Sequence, residues 1–240
     1  MTTIISTLQS EVKGTSSTPT MSSTNYQGGL VTHIKEPWEC LEIENFLPKE
    51  RWDTIKDLAK IELEKYHEWG EAPKKEYFNK ENASRDKYNG YVTEDIIPET
   101  NRLFYEYDFG HRGYKGKLKK VIHWAIAPPH WSYPAHCDNR ARVSTTIMYI
   151  SPEESDGTIL HKNLSENDKG DHEKADMPSE YEYEVKWKPN KAFFHNTIPN
   201  VTWHSIRNST NKPRITLNSF FVQEDLVSPG RCYSGKEIDI

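Results

Sequence analysis

The chain has 240 residues, of which 35% are hydrophobic and 28% are charged, with a formal net charge of −5. This length can bury a sizeable core and favours one domain, and no apolar run approaches the roughly 18 residues of a membrane span. Charges of both signs are interspersed, so we expect no nucleic-acid partner and no membrane partner. The three scattered cysteines and the absence of a signal-like start predict a cytoplasmic protein without disulfides.

The N-terminal part of the chain predicts a tail followed by helices. Residues 1–28 are rich in Ser, Thr and Gly, which predicts a flexible tail before a single domain over 29–240. A short strand is expected within 38–47, and a helix over 48–69 begins with a proline in its first turn. A second helix is expected over 98–109. The apolar face of the first helix consists of Trp52, Ile55, Leu58 and Ala59.

From about residue 119 the sequence consists of β-branched and aromatic runs separated by Pro, Asn, Gly and Ser clusters. Short strands at this spacing predict an all-β sandwich or barrel. A charged insertion, 161–184, interrupts the runs, and a segment of this kind is either a lid over a pocket or disordered. The strand-like runs are VIHWAIA, ARVSTTIMYI, KAFFHNTI, NVTWHSI and RITLNSFFV.

One residue separates His136 from Asp138 in YPAHCDN. On a strand, residues i and i+2 face the same side, so both side chains can reach one metal ion. A histidine from a distant strand, for which His204 in VTWHSI is the candidate, would complete a two-histidine, one-carboxylate set. That set is typical of non-haem Fe(II) oxygenases. His-x-Asp alone also occurs by chance on solvated loops.

Arg214 follows His204 by ten residues, beyond the turn-like segment NSTNKP. The runs on both sides predict a hairpin centred near Thr210. This register places Ile206 opposite Arg214 and makes His204, opposite Thr216, a diagonal neighbour of Arg214 within about 8 Å. A planar arginine suits the far carboxylate of a five-carbon 2-oxo diacid whose other end chelates iron. The alternative is an arginine that caps a strand or pairs with a surface acid.

Together these motifs resemble the Fe(II)/2-oxoglutarate-dependent oxygenases, and most closely their prolyl-4-hydroxylase-like branch. The resemblance extends over about 121–222. It implies a mainly β fold, a jelly-roll or cupin-like double-stranded β-helix with a core over about 119–224 and N-terminal helices packed on one sheet. Asp156-Gly157 stands where the family usually has a Gly-Gly pair. The segments that carry the resemblance are HCDN, RVSTTIMYIS, SDGTIL, WKPNKAFFHN, TWHSI and PRITLNSFF.

The resemblance also implies a role for each site residue. His136, Asp138 and His204 would bind Fe(II) as the catalytic centre. Arg214 would bind the distal carboxylate of the cosubstrate 2-oxoglutarate, with the hydroxyl of Tyr149 assisting. O2 would be the second cosubstrate, ascorbate is a candidate reductant, and succinate and CO2 would be the co-products of hydroxylation. The residues expected to contact or flank 2-oxoglutarate are Arg214, Tyr149, Asn218 and Phe220.

Several outcomes stay open at this point. Asp138 favours hydroxylation, because the halogenating relatives replace this carboxylate by a small residue. Desaturation or cyclisation with the same cofactors is an alternative, and so is a cupin-like binding module without catalysis. The substrate would be a small molecule or a peptidyl residue, and the sequence specifies neither it nor the oligomeric state. We interpret His161, His172 and His195 as structural. The candidate substrate contacts are His123, Trp124, His130, Trp131, Tyr133, Arg140, Arg142 and Trp203.

Overall fold

The computed structural model describes residues 21–26, 29–71, 88–107, 118–162, 183–223 and 236–238. These residues contain the helices α1 (Lys49–Glu71) and α2 (Glu99–Glu106). The strands are β1 (Met21–Tyr26), β2 (Gly29–Ile34), β3 (Cys40–Ile43), β4 (Tyr88–Val92), β5 (Leu118–Ala127), β6 (Trp131–His136), β7 (Arg142–Ser151), β8 (Thr158–Leu160), β9 (Tyr183–Val185), β10 (Ala192–Asn196), β11 (His204–Asn208), β12 (Arg214–Gln223) and β13 (Lys236–Ile238).

From β5 onward the chain winds between two antiparallel sheets. The large sheet contains β10, β7, β12 and β5 as neighbours in that order, and the small sheet has the order β6, β11, β8, β9. β1, β2 and β3 extend the large sheet beyond β10, while β4 and β13 both pair with β5 at the opposite side. Alternation of successive strands between two facing sheets is the connectivity of a double-stranded β-helix. The predicted mainly β jelly roll is therefore confirmed.

Both helices cover the outer face of the large sheet, as predicted. The carbonyl of Pro48 accepts a hydrogen bond from the Trp52 amide at 2.9 Å, which closes the first turn of α1. Ile55 is 1% exposed and packs in one cluster with Trp124 and Ile126 of β5. Burial of such an isoleucine stabilises the fold by about 2 kcal/mol. No helix in the part of the chain that the structure describes is long and apolar enough to cross a membrane.

Some predicted boundaries need correction. Residues 21–26, assigned to the flexible tail, form β1 and pair with β2 from Met21 opposite Ile34 to Tyr26 opposite Gly29. The strand ladder therefore begins before residue 29. The second helix ends at Glu106, earlier than predicted. Of the tail and the charged insertion, 1–20, 27–28 and 163–182 lie outside the described residues.

The predicted hairpin around Thr210 is wrong. β11 pairs with β6 and β8 in the small sheet, whereas β12 pairs with β5 and β7 in the large sheet. His204 therefore lies opposite His136 and Leu160, and not opposite Thr216. The two runs belong to different sheets and face each other across the interior.

The Asn208 side chain explains why the chain crosses between the sheets here. Its amide nitrogen lies 3.3 Å from the Ala127 carbonyl oxygen and 2.7 Å from that of Pro128, at the end of β5. It also donates to the Lys212 carbonyl oxygen at 2.9 Å. These bonds tie the turn to the connection between β5 and β6, so the chain enters the large sheet instead of folding back on β11.

Candidate metal centre

The strand register of the large sheet shows where each polar residue of its inner face lies along the interior. His195 of β10, Thr145 of β7 and Phe220 of β12 lie in one row across the sheet. Tyr149 lies four residues further along β7, and Arg214 begins β12. Consecutive residues on one face of a strand, i and i+2, are about 7 Å apart. We call the row of His195 and Thr145 the histidine end of the interior, and Arg214 with Tyr149 the arginine end.

The three predicted metal ligands come together at the histidine end. One donor atom from each of His136, Asp138 and His204 lies within 4.8 Å of the other two. The rings of His136 and His204 are 4.3 Å apart between centroids, because the last residue of β6 pairs with the first residue of β11. Two imidazoles and a carboxylate at these distances can bind one divalent ion. The residues present therefore fit the iron that the sequence motif implies.

Asp138 reaches the centre from the loop after β6, and not from the strand itself as the alternation predicted. Arg142 Nη1 donates to its Oδ1 at 2.5 Å, and the Thr145 hydroxyl donates to its Oδ2 at 2.7 Å. Burial alone would raise the pKa of Asp138, but the Arg142 guanidinium and the neighbouring imidazoles hold it well below its ordinary value. The carboxylate is therefore ionised and oriented, as a metal ligand must be.

Both ligand imidazoles are fixed in the same tautomer. Nδ1 of His136 lies 3.0 Å from the Pro134 carbonyl oxygen, and Nδ1 of His204 lies 3.0 Å from that of Thr202. A carbonyl oxygen accepts, so each Nδ1 carries the hydrogen and each Nε2 keeps a lone pair for a metal. Burial, followed by the proximity of the His204 imidazole, lowers the pKa of His136 to about 3. The His136 ring is therefore neutral near pH 7.

The arginine end is a buried cation among aromatic rings. Arg214 is 2% exposed, and its guanidinium carbon lies 5.4 Å from the Tyr149 ring centroid and 4.9 Å from that of Trp187. Its Nε donates to the Asp156 carbonyl oxygen at 3.3 Å, while its Nη2 has no hydrogen-bond partner among the described residues. Burial lowers the pKa of Arg214. A planar carboxylate is the ligand that satisfies such a group best.

The hydroxyl of Tyr149 is held in place beside Arg214. It donates to Thr158 Oγ1 at 2.8 Å and accepts from the Thr158 amide at 3.2 Å. The Tyr149 and Trp187 rings stack with centroids 4.6 Å apart, and burial raises the pKa of Tyr149. The rigid pair of rings therefore fixes the position of the guanidinium.

Asp156-Gly157 stands where the family that the sequence resembles usually has a Gly-Gly pair, and the chain keeps a glycine at the second position. A Cβ on Gly157 would lie 1.8 Å from the Val185 carbonyl oxygen, so that position requires glycine. Asp156 accepts from the Ser209 amide, and its own carbonyl oxygen accepts from Arg214 Nε. The aspartate thus adds contacts that hold the arginine end.

No family model matches the sequence, and no curated protein matches it. A solved structure of a prolyl hydroxylase from Trichoplax adhaerens, in complex with a hypoxia inducible factor oxygen degradation domain peptide fragment, is similar in fold. It matches with a TM-score of 0.52 and 13% identity, over 78% of this chain and 84% of that chain. The chain has the double-stranded β-helix fold of that hydroxylase.

Two further prolyl hydroxylases are similar to the chain. A prolyl-4-hydroxylase from Pseudomonas putida matches with a TM-score of 0.49 and 14% identity, over 77% of this chain and 92% of that chain. A viral collagen prolyl hydroxylase from Paramecium Bursaria Chlorella virus-1 matches with a TM-score of 0.48 and 13% identity, over 77% and 95%.

Two of the predicted substrate contacts form a line of rings that leads to the ligands. The Trp131 and Tyr133 rings are stacked 5.7 Å apart, and Tyr133 meets His136 edge-on at 4.5 Å. The pairing of β6 with β11 shifts between Tyr133 and His136, so residues three apart share a face. Both aromatic residues are half-buried.

Two other predicted substrate contacts are buried. Trp124 is 3% exposed and packs on the outer face of the large sheet, beneath the helices. Trp203 is 1% exposed and is among the most buried side chains. The position of Trp124 on the outer face does not fit a contact with a substrate in the interior. An aromatic residue in a strand-like run does not reveal which face of the sheet it occupies.

The polar candidates divide between the centre and the surface. Arg142 lies over the Phe220 ring at 3.7 Å and donates to Asp138, so it contacts a candidate metal ligand directly. His130 and Arg140 are exposed in turns, and His130 has a φ of 56°.

Between the two ends, Asn218 faces the interior, as its alternation with Arg214 predicted. Its amide nitrogen lies 3.3 Å from His123 Nε2. His123 thereby also faces the interior, from β5.

Three further residues lie at the two ends of the interior and were not predicted as site residues. Thr145 and Trp187 lie in runs that were recognised as strands or connections, but nothing local distinguishes them. His195 was interpreted as structural. It is the titratable residue of the strand AFFHN, and it shares a face with Phe193. His161 is buried, with Nε2 2.8 Å from Ser205 Oγ, in keeping with a structural role. His172 lies outside the described residues.

Proposed function

We propose that the protein is an Fe(II)- and 2-oxoglutarate-dependent oxygenase that hydroxylates its substrate and releases succinate and CO2. The observation that carries the proposal is the pairing of two sites in one interior. A set of two histidines and one carboxylate occupies one end. A buried guanidinium with an unpartnered Nη2 among the described residues occupies the other. The fold shared with the Trichoplax hydroxylase supports it.

Each residue has a defined task in this proposal. His136, Asp138 and His204 hold Fe(II), which together with 2-oxoglutarate and O2 supplies the oxidising chemistry. Arg214 binds the distal carboxylate of 2-oxoglutarate through its fork of N–H groups. The stacked rings of Tyr149 and Trp187 keep water from the guanidinium and hold its plane.

The support for Asp138 comes from two side chains. Thr145 and Arg142 occupy both carboxylate oxygens with hydrogen bonds, which restricts rotation of the ligand. Arg142 is itself packed on Phe220. Outer contacts of this kind typically change metal affinity or activity by about 10- to 100-fold when removed.

The substrate is a small molecule or a peptidyl residue that approaches along the rings of Trp131 and Tyr133. The Trichoplax hydroxylase was solved with a peptide fragment, which is in keeping with a peptidyl substrate. Half-buried aromatic faces favour a substrate with an apolar ring or chain over a highly charged one.

Anaerobic titration of the metal-free protein with Fe(II) and then 2-oxoglutarate tests the proposal. We expect a weak visible charge-transfer band in the wild type and none in His136→Ala. The band should require far more 2-oxoglutarate in Arg214→Met. Arg51→Met, on α1 where Arg51 pairs with Glu99, is the matched control and should behave as wild type. A folded wild-type protein without the band would contradict the proposal.

A second measurement separates an enzyme from a binding module. Succinate formation from 2-oxoglutarate in the presence of O2 should be measurable at a slow rate without substrate and should rise in a substrate screen. A protein that shows the charge-transfer band yet forms no succinate with any amino acid, peptide or metabolite offered would be a binding module.

A further inference from the structure

A third imidazole, that of His195, lies at the histidine end. The residue is 0% exposed in β10, and its ring centroid is 5.3 Å from that of His204. Its Nε2 lies 4.0 Å from Asp138 Oδ2. The set of mutually close donor atoms comprises His136, Asp138 and His204 and does not include it. The proposed function has so far given this side chain no role.

The hydrogen bond of His195 fixes what its second nitrogen can do. Nδ1 lies 3.0 Å from the Asn196 carbonyl oxygen. The carbonyl accepts, so Nδ1 carries the hydrogen and Nε2 of the neutral ring is an acceptor. The ligands His136 and His204 have the same arrangement, with Nδ1 on a backbone carbonyl oxygen. His195 therefore has the bonding pattern of a metal-site histidine without being within the ligand set.

Nε2 of His195 has no hydrogen-bond partner among the described residues. A buried acceptor without a hydrogen-bond donor destabilises the folded state. Trp38 meets the ring at 5.2 Å, but its Nε1 donates to the His161 carbonyl oxygen at 3.2 Å. Phe193, with its centroid also 5.2 Å away, has no donor. A donor to His195 Nε2 can therefore approach from the side of Asp138.

The distance to Asp138 indicates the kind of donor. Oδ2 and Nε2 are both acceptors, so they do not bond to each other, and 4.0 Å is too long for a hydrogen bond. One oxygen atom with two hydrogens can donate to both, because two hydrogen bonds of about 2.8 Å reach acceptors at that separation. The Thr145 hydroxyl cannot do so, since its single hydrogen is directed to Oδ2. A water molecule or a similar protic group suits the position.

We propose that His195 is a positioning residue of the metal centre, whose Nε2 accepts a hydrogen bond from a water or hydroxyl group held beside Asp138. The inference rests on the proposed function for the presence of a metal. It differs from direct ligation, in which His195 would be a fourth protein ligand. It also differs from a core role, in which the ring would only fill space between Trp38 and Phe193.

Titration of the metal-free protein with Co(II), followed by visible absorption and without 2-oxoglutarate, tests the inference. His195→Phe keeps a ring between Trp38 and Phe193 and removes the acceptor. We expect its Kd for Co(II) to rise about 10-fold. The melting temperature of the metal-free variant should stay equal or rise, because a buried unpartnered acceptor is gone. His195→Gln returns an acceptor and should recover most of the affinity.

A matched control comes from His161, a second buried imidazole whose Nε2 is bonded to Ser205. His161→Phe should lower the melting temperature, because it leaves the Ser205 hydroxyl buried without its partner. Its Kd for Co(II) should stay within about 2-fold of the wild type, since it removes no contact at the centre. Should His195→Phe fail to fold, His195→Leu carries the same test.

Three results would overturn the inference. Equal Co(II) affinities of wild type and His195→Phe would leave His195 a core residue. Loss of one of three imidazole nitrogen couplings in pulsed EPR of the Cu(II) protein on this substitution would make it a ligand. A wild type that binds no Co(II) would overturn the proposed function as well. Equal affinities in a protein that still shows the Fe(II) and 2-oxoglutarate band would overturn this inference alone.

Discussion

The two ends of the interior differ in how far the protein satisfies its own charges. At the histidine end both oxygens of Asp138 accept hydrogen bonds, from Arg142 and Thr145. At the arginine end Arg214 donates from Nε to Asp156, while its Nη2 has no partner in the described part of the chain. The candidate metal ligand Asp138 is therefore oriented by the protein itself. The buried cation needs a carboxylate, so binding of a dicarboxylic cosubstrate should stabilise the fold.

Among the substitutions considered, His136→Ala should have the largest effect on metal binding at the histidine end. Loss of one of two imidazole ligands should lower Fe(II) affinity and succinate formation by more than about 1000-fold, because two remaining ligands bind a divalent ion poorly. Fe(II) binding and 2-oxoglutarate consumption measure this. His67→Ala on the exposed side of α1 is the control and should be unaffected. Full turnover in His136→Ala would show that the centre has been misplaced.

The matching change at the arginine end is Arg214→Met. We expect the KM for 2-oxoglutarate to rise about 100-fold, because a bidentate charged contact is lost. The metal-free protein should be as stable or more stable, since a buried and partly unpaired charge is replaced by an apolar chain. Thermal unfolding with and without 2-oxoglutarate measures both effects. A large loss of stability without ligand would indicate that Arg214 holds the fold itself.

Acid should weaken the histidine end selectively. Burial lowers the pKa of His136, His161 and His195 to about 3, 4 and 4, from an ordinary value of 6.5. In the window between those values the unfolded chain binds more protons than the folded one, so stability falls as the pH falls. Arg214 and Tyr149 stay protonated throughout.

Urea unfolding of the metal-free protein should show this loss. Between about pH 7 and about pH 5 the free energy of unfolding should fall by at least about 2 kcal/mol, the contribution of one such imidazole. Arg214→Met should lose the same amount, while His161→Phe should lose less. An unfolding free energy that does not change over this range would contradict the buried neutral state of the imidazoles.

Thr145→Val is the mildest change, because it removes one donor to Asp138 and keeps the side-chain shape. We expect the Kd for Fe(II) to rise about 10-fold, with the affinity for 2-oxoglutarate unchanged at saturating metal. Thr145→Ser, which retains the hydroxyl, should restore most of the metal affinity. Equal Fe(II) affinity in the valine variant would mean that Arg142 alone orients the carboxylate.

The candidate metal ligands were predictable in part because two of them are close in sequence. His136 and Asp138 are separated by one residue, whereas His204 had to be chosen among several histidines, and the resemblance to a known family supported that choice. The long strands were predictable from β-branched and aromatic runs, which match β5, β7, β10, β11 and β12, whereas the short strands β8 and β9 of the small sheet lie outside those runs.

Sheet membership was not predictable, because alternation reports the faces of a strand and not its neighbours. The turn between β11 and β12 predicted a hairpin. In the structure, the Asn208 side chain donates to the carbonyl oxygens of Ala127 and Pro128, some eighty residues earlier, and β12 joins the other sheet. The same limit explains Trp124 and Trp203, whose burial depends on which layer covers them. The position of His195 at the histidine end was not predictable, because it depends on a row formed with Thr145 from another strand.

The charged insertion leaves and rejoins the small sheet at adjacent points, because Leu160 at the end of β8 pairs with Tyr183 at the start of β9. The Tyr183 hydroxyl donates to Glu42 at 2.6 Å, which anchors the returning end. Closing a loop costs only about 0.6 kcal/mol more for each doubling of its length. A change in the length of this segment should therefore cost little stability, because β8 and β9 can stay paired in the same register.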